Sequence, residues 1–409
     1  MPRPTGNTRL RAARMAAGYR SQQDLVDALA DRGVTVGIRQ VRRWESDNPP
    51  LPYPDVRLVL VELLGQDLAQ LGFTLPGGTE PGRRAAVSAL PAPNRGPLRT
   101  PNALQPASSA AECLAVTRAH RRLYWTVAPV TLHPAVSAHA TLGAALLEAT
   151  TGRTRVVLGT ALAESWLLAG RIEFFDLREP GRAGDTWVRA LQAAGEADDA
   201  LLGSATLAHM AFIPGWAGDQ RAAAERMVAA RTYARRGPAS AEFLAWLDAV
   251  EAECETRCGN TRSAMNLIAH GEGLLAVGGA HPSPEWMDWF SPVRLQAFKG
   301  NTQLRAGHLP QARETLLHVL EELPAGADKQ RTVVLGDLAA VEAAARAPEA
   351  AAAYALRALE LLESHWYATG LERVREVRRA LVPWQHEQCV RDLDDRLYGW
   401  GAVVSALAN

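Results

Sequence analysis

The chain has 409 residues, of which 47% are hydrophobic and 22% charged, an ordinary balance for a globular protein. It is too long for one compact core unless it is a repeat array, so two or more domains are expected. Its 44 basic and 44 acidic residues cancel, which excludes polyanion binding by the chain as a whole. No uninterrupted apolar run approaches the roughly 18–20 residues of a membrane span. The N-terminal MPRPTGNTRLRAAR lacks the apolar centre of a secretion signal. The expected setting is cytoplasmic, with no membrane partner.

The first expected unit covers residues 1–75, with helices between about 7 and 73. Asn7 or Thr8 can cap a helix running to about Ala17 and stopped by Gly18. Ser21, followed by Gln22, Gln23 and Asp24, starts a second helix whose apolar face is Leu25, Val26 and Leu29. After Gly33, the stretch GIRQVRRWES (37–46) predicts a third helix ending near Glu45. The run Asn48–Pro52 then turns the chain into a fourth helix carrying Val56, Leu60 and Leu64, stopped by Gly65; the piece DLAQLGF closes the unit. Residues 1–44 hold nine arginines against Asp24, Asp27 and Asp31, a basic excess in a chain that is otherwise neutral.

At roughly 100° per residue, Ile38, Val41 and Trp44 form one apolar stripe of the third helix, while Arg39 and Arg43 lie near the opposite pole. Gln40 and Arg42 flank them. Arginine forks onto guanine edges and also binds phosphate, so this face suits DNA, whereas the stripe with Val41 and Trp44 holds the helix in place. Glu45 falls on the buried side, where a carboxylate needs a partner. Arg14 at the end of the first helix is the expected one, which makes Arg14 structural.

Residues 76–111 contain seven prolines and four glycines and almost no large apolar residue. They read as a linker, which as a flexible chain would span roughly 30–36 Å. From 112 to 409 strand signals are nearly absent, and a spaced pattern recurs. It comprises a turn residue, alanine five residues on, and a large apolar residue four further. Its copies are Arg178–Ala183–Trp187, Gly218–Ala223–Met227, Gly259–Ala264–Ile268, Gly307–Ala312–Leu316 and Ala347–Ala352–Leu356. Stacked helical hairpins explain it: the turn residue reverses the chain, the alanine admits close backbones, and the large residue fills the groove. The copies resemble tetratricopeptide repeats, with a longer period. The expected class is therefore all-α, a small N-terminal helical domain followed by an α-solenoid of hairpins.

The N-terminal stretch LRAARMAAGYRSQQDLVDAL with VRRWES resembles Xre/Cro-type helix-turn-helix regulators. The matching marks are the Leu-x-x-x-Arg first helix, Gly18, Ser21-Gln22 and Trp44-Glu45. The turn Ala30–Val36 is about five residues longer than the tight connection of such motifs. The resemblance implies contacts to double-stranded DNA from Gln22, Gln23, Gly37, Arg39, Gln40, Arg42 and Arg43, supported by Arg14, Val41, Trp44 and Glu45. The combination with a proline-rich linker, a repeat array and SPEWMDWFSPVRLQAFKG (283–300) resembles a class of actinobacterial regulators. That class implies a DNA-binding regulator and little more. One recognition helix covers only a few base pairs, so a homodimer is expected. The analogy with peptide-pheromone receptors, which join the same two parts, adds control by a peptide, small molecule or protein as an expectation.

No phosphate loop, dinucleotide fingerprint or HExxH is present, and neither an enzyme nor a cofactor is expected. Cys254 and Cys258 stand four apart without further ligands nearby, and read as inert thiols rather than a metal site. His209 reads as a satisfied core or surface histidine, Asp198 and Asp199 as helix-surface charges, and 373–381 (RVREVRRAL) as a solvated basic face or dimer contact. Trp286, Trp289 and Phe290 sit among prolines; inter-repeat packing is favoured for them over a ligand pocket. The alternative function is a helical-repeat adaptor whose N-terminal domain binds DNA weakly or not at all.

Overall fold

The computed structural model describes residues 6–47, 49–68, 70–73 and 107–407. All secondary structure among them is helical. The chain divides into two compact units, residues 1–97 and 98–409. Residues 76–106 of the expected linker lie outside the described residues, as does Asn48 of the expected turn. Residues 107–111, placed in the linker by composition, belong instead to the first helix of the second unit. The run ASSAAECLAV is alanine-rich, a strong helix former, and buries Ala110 and Cys113 in the core.

The first unit contains α1 (Thr8–Ala16), α2 (Gln22–Asp31), α3 (Ile38–Trp44) and α4 (Pro54–Leu64). Local chemistry sets their ends. The Asn7 side chain accepts from the Leu10 amide. Ser21 and Asp24 form a reciprocal capping box on α2. Gly65 closes α4 in the left-handed region. Leu10, Ala13, Leu25, Leu29, Val41, Trp44, Val56, Leu60, Leu64, Leu71 and Phe73 form one core. Asn7 does more than cap, because its Nδ2 donates to the carbonyls of Trp44 at 3.1 Å and Leu71 at 2.8 Å. It thus ties the start of α1 to the end of α3 and to the closing segment. The long connection before α3 packs inward through Val34 and Val36.

In the second unit α5 (Ala107–Leu123) and α6 (Pro129–Glu148) precede α7 (Gly152–Arg171), which continues into a π-helical turn, Ile172–Asp176. Then follow α8 (Pro180–Glu196), α9 (Ala200–Trp216), α10 (Gln220–Ala234), α11 (Ala241–Arg257) and α12 (Thr261–Val277). The remainder is α13 (Pro292–Arg305), α14 (Leu309–Glu322), α15 (Asp328–Ala344), α16 (Pro348–Ser364), α17 (Ala368–Ala380) and α18 (Gln388–Leu407). From α7 to α16 each odd-numbered helix packs on the helix that follows it as a hairpin, and from α7 to α17 each packs on the next odd-numbered helix. The odd-numbered helices form the inner layer. Of these, α7 and α9 are buried on most sides, which their small residues permit: thirteen residues of α7 and twelve of α9 are buried. By length and composition α6 is apolar enough to cross a membrane; in this unit it buries Leu132, Val136 and Ala140 and pairs its His133 with Glu173.

The spaced pattern marks the hairpin turns. Arg178, Gly218, Gly259 and Gly307 all have positive φ, and the alanines five residues on are buried. The last copy is shifted: Arg346, not Ala347, has positive φ, and Ala351 and Ala355 take the close-packed positions. The long interval between the third and fourth turns is taken up by residues 278–291, which form no helix.

Gly170 lets α7 approach α8, since a Cβ there would stand 2.3 Å from Trp187 Nε1. Gly170→Ala should cost about 1–3 kcal/mol by overpacking. Gly273, exposed on α12 with open space around it, should gain about 0.5–1 kcal/mol as alanine. Urea denaturation followed by circular dichroism measures both.

Candidate functional site

Glu45, just after α3, is the hub of the first unit. Arg14 Nε donates to its Oε1 at 2.8 Å and Gln22 Nε2 to its Oε2 at 2.6 Å, while Arg11 Nε stands 3.7 Å away. Burial alone would push this carboxyl up. Hydrogen bonds from Arg14 and Gln22, with the charges of Arg14 and Arg11, outweigh burial and hold it below its ordinary value. Arg14 also donates from Nη1 to the Tyr19 carbonyl at 2.7 Å. The end of α3 is therefore fastened to α1 and α2 by one buried carboxylate.

Val41 and Trp44 are fully buried, and Ile38 is half-buried at the margin of the stripe. Arg39 and Arg43 are exposed, and neither side chain has a hydrogen bond or ion pair among the described residues. Gln40 is half-buried and Gly37 caps the N-terminus of α3. Gln22, expected as a DNA contact, is half-buried and engaged within the unit. Its amide donates to Glu45 and its oxygen accepts from Arg42 Nε at 3.4 Å, so it braces the arginine face from behind. Gln23 is exposed but bonded to Asp27 at 2.8 Å. Arg20, not singled out in the sequence, is exposed next to the α2 cap, and its side chain has no hydrogen bond or ion pair among the described residues.

The second unit encloses a cleft on its inner layer, walled by Tyr124, Phe175, Phe212, Trp216, Trp246 and Trp289 and holding about 100 Å³ of water-accessible space. The cations Arg171, Arg294, Lys329 and Arg373 also line it, with the carboxylates Glu253 and Asp337. Lys329 Nζ donates to Asp176 Oδ1 at 2.7 Å and stands 3.7 Å from the Tyr124 ring centre; the Tyr124 hydroxyl donates to Asp176 Oδ2 at 3.1 Å. Burial pushes the Asp176 carboxyl up, although Lys329 opposes it, and pushes the Lys329 amine down. Arg373 is buried 3.3 Å from Asp337 and 3.6 Å from Glu253. The cleft is closed by distant segments: Trp366 Nε1 donates to the Asp176 carbonyl at 3.2 Å and Thr369 Oγ1 to that of Phe175 at 2.9 Å.

The aromatic segment divides between its two readings. Trp286 packs in the core against Phe243, whereas Trp289 and Phe290 line the cleft. His209 is buried and lies within ring-contact distance of Phe175, Trp187, Phe212, Trp246 and Trp289. Its Nδ1 donates to the Ala205 carbonyl at 2.8 Å, which leaves Nε2 as an acceptor. Burial and the charge of Arg171 lower its pKa to about 3. The basic run 373–381 is not a uniformly solvated face, because Arg373 turns inward onto Asp337 and Glu253, carboxylates of α15 and α11 that local sequence does not reveal. Asp199 caps α9 through the Leu202 amide, rather than standing as a free surface charge. Burial pushes the Cys254 and Cys258 thiols up. Among the described residues no cluster of His, Cys, Asp and Glu has metal-binding geometry. No protein-family model and no curated protein matches the sequence.

Removing one member of the Glu45 hub leaves a buried charge unpaired. Glu45→Ala should cost the first unit about 3–5 kcal/mol, read as accelerated amide exchange across residues 8–64. For His209, the unfolded chain takes up a proton near pH 6.5 and the folded chain only near 3. Its contribution to stability is complete above the unfolded value and is lost as pH falls, on the order of 2 kcal/mol by pH 5. Glu164, pushed up to about 7 by burial, acts in the opposite sense. The measurement is therefore a comparison: between about pH 7 and 5 the melting temperature should fall further in the native chain than in His209→Leu.

Proposed function

We propose that the protein is a sequence-specific DNA-binding transcriptional regulator. In this reading the first unit is a helix-turn-helix domain and the second a tetratricopeptide-like solenoid that binds an effector and holds two copies together. The observation that carries it is the division of α3. One side is buried through Val41 and Trp44 and fastened at Glu45, while the other offers Arg39 and Arg43 exposed and unpartnered among the described residues. Unpaired arginines one turn apart on an anchored helix suit guanine edges or phosphates. Gln22 serves by holding Arg42 and Glu45, so base reading falls to Arg39, Gln40 and Arg43, and Arg42 and Gly37 stand toward the backbone. One short recognition helix covers few base pairs, which favours a symmetric pair of chains on a two-part site.

The repeat reading of the second unit is supported by the hairpin order, the positive-φ turns and the buried alanines after them. Selection of duplexes by the full chain should enrich one sequence, bound in the nanomolar range with a steep salt dependence. Arg39→Ala and Arg43→Ala should each weaken that complex by about 1–3 kcal/mol. If no sequence is enriched, or both variants bind like the native chain, the adaptor reading replaces this one.

A further inference from the structure

Arg171 ends α7 and is only 6% exposed. Its guanidinium carbon lies 5.0 Å from the centre of the Tyr124 ring and 4.4 Å from that of Trp289. Among the described residues it has no carboxylate at ion-pair distance, and no acceptor takes a hydrogen bond from it. None of its nitrogens is sealed away from accessible space, so its N–H donors open onto the cleft, where stacking against rings meets only part of what a cation needs.

The neighbouring charges do not fill the gap. Asp176 has both oxygens engaged, by Lys329 and Tyr124. Asp288, whose carboxyl feels the charge of Arg171, lies 4.0 Å from Arg121 and pairs with no other cation within that range. Arg373 is taken by Asp337 and Glu253. Arg294, half-buried on the cleft wall, has Phe298 beneath it at 5.5 Å and likewise no carboxylate partner among the described residues. Two cations thus face one cleft with their donors free.

We propose that this cleft binds a small organic carboxylate, its two oxygens taking Arg171 as their anchor and its apolar body lying among the aromatic rings. The shape of the guanidinium fork matches a planar two-oxygen acceptor. The carboxylates in the wall and behind it hold the positive surplus low, which suits a monoanion better than a phosphate dianion. The space, about 100 Å³, is on the order of what one ring occupies and excludes a folded partner. Arg294 is the second cation. His209 Nε2, kept unprotonated by burial, offers an acceptor to a hydroxyl or N–H on the occupant. This deepens the effector half of the regulator reading and involves the second unit alone, so its test needs no DNA.

The full-length chain is titrated by calorimetry, without DNA, with benzoate, phenylacetate, 3-phenylpropionate and indole-3-acetate. The amide of each acid and inorganic phosphate are titrated alongside. At least one carboxylate should bind saturably, about tenfold or more tighter than its amide and than phosphate. Arg171→Gln should lose about tenfold or more in affinity, and Arg171→Lys should recover part of it. Should Arg171→Gln fail to fold, the acid–amide comparison on the native chain decides. The proposal falls if none of the four acids binds, if acid and amide bind alike, if phosphate outcompetes every acid, or if a folded Arg171→Gln binds as well as the native chain. Because DNA takes no part, failure here leaves the reading of α3 standing, and failure of the duplex selection leaves this cleft standing.

Discussion

The buried pair between Asp176 and Lys329 joins residues 153 apart in sequence and sets the form of the second unit. A stack of helical hairpins ordinarily touches only its nearest neighbours and stays open at its ends. Here the π-helical turn after α7 offers carbonyls that Trp366 and Thr369 take up, while its carboxylate receives Lys329 from α15. Arg178 and Glu372 add an ion pair at the rim at 2.8 Å. The first inner helix and the last are thereby brought together, and the space between the inner helices becomes a cleft walled by both ends of the stack.

Closing the stack imposes a polar interior. Charges from several helices are carried inward and must find partners at low dielectric. Most do so across helices: Arg231 with Asp248 at 2.8 Å, Arg373 with Asp337, and Lys299 with Glu272 at 2.8 Å. Rings add to the carboxylates, as when Arg257, paired with Glu253 at 2.7 Å, also lies 3.9 Å from the centre of Trp216. Against that background Arg171 and Arg294 stand apart: rings lie against both, and neither has a carboxylate partner among the described residues.

Much of the first unit was legible because its determinants are local. Asn7, Ser21 with Asp24, and Gly65 act within one turn of where they stand, and helical phase alone brought Glu45 inward toward Arg14. The same phase argument could not see that Gln22 would be consumed by Glu45 and Arg42, since that depends on how α2 crosses α3. In the second unit the alanines and positive-φ turns were readable, and the last turn was misplaced by one because the alanine run 350–353 fits the spacing from Arg346 as well as from Ala347. Arg373 read as solvated because the carboxylates that draw it inward lie on α11 and α15. Arg171 gave no local sign at all, being one arginine among many at the end of an apolar helix. The linker's far end was set too late because proline and glycine fade before the helix signal of ASSAAECLAV is counted.

The contacts around the π-helical turn also bear on how such a protein can change over time. Open arrays lengthen and shorten by whole hairpins, since each added unit needs to fit only the one before it. In this unit a duplicated or deleted hairpin would carry Lys329, Trp366 and Thr369 away from Asp176 and Phe175 together, leaving a carboxylate and two carbonyls unmatched. The number of hairpins is therefore fixed by closure, and change is left to side chains facing the cleft and to the irregular segment 278–291 at its wall.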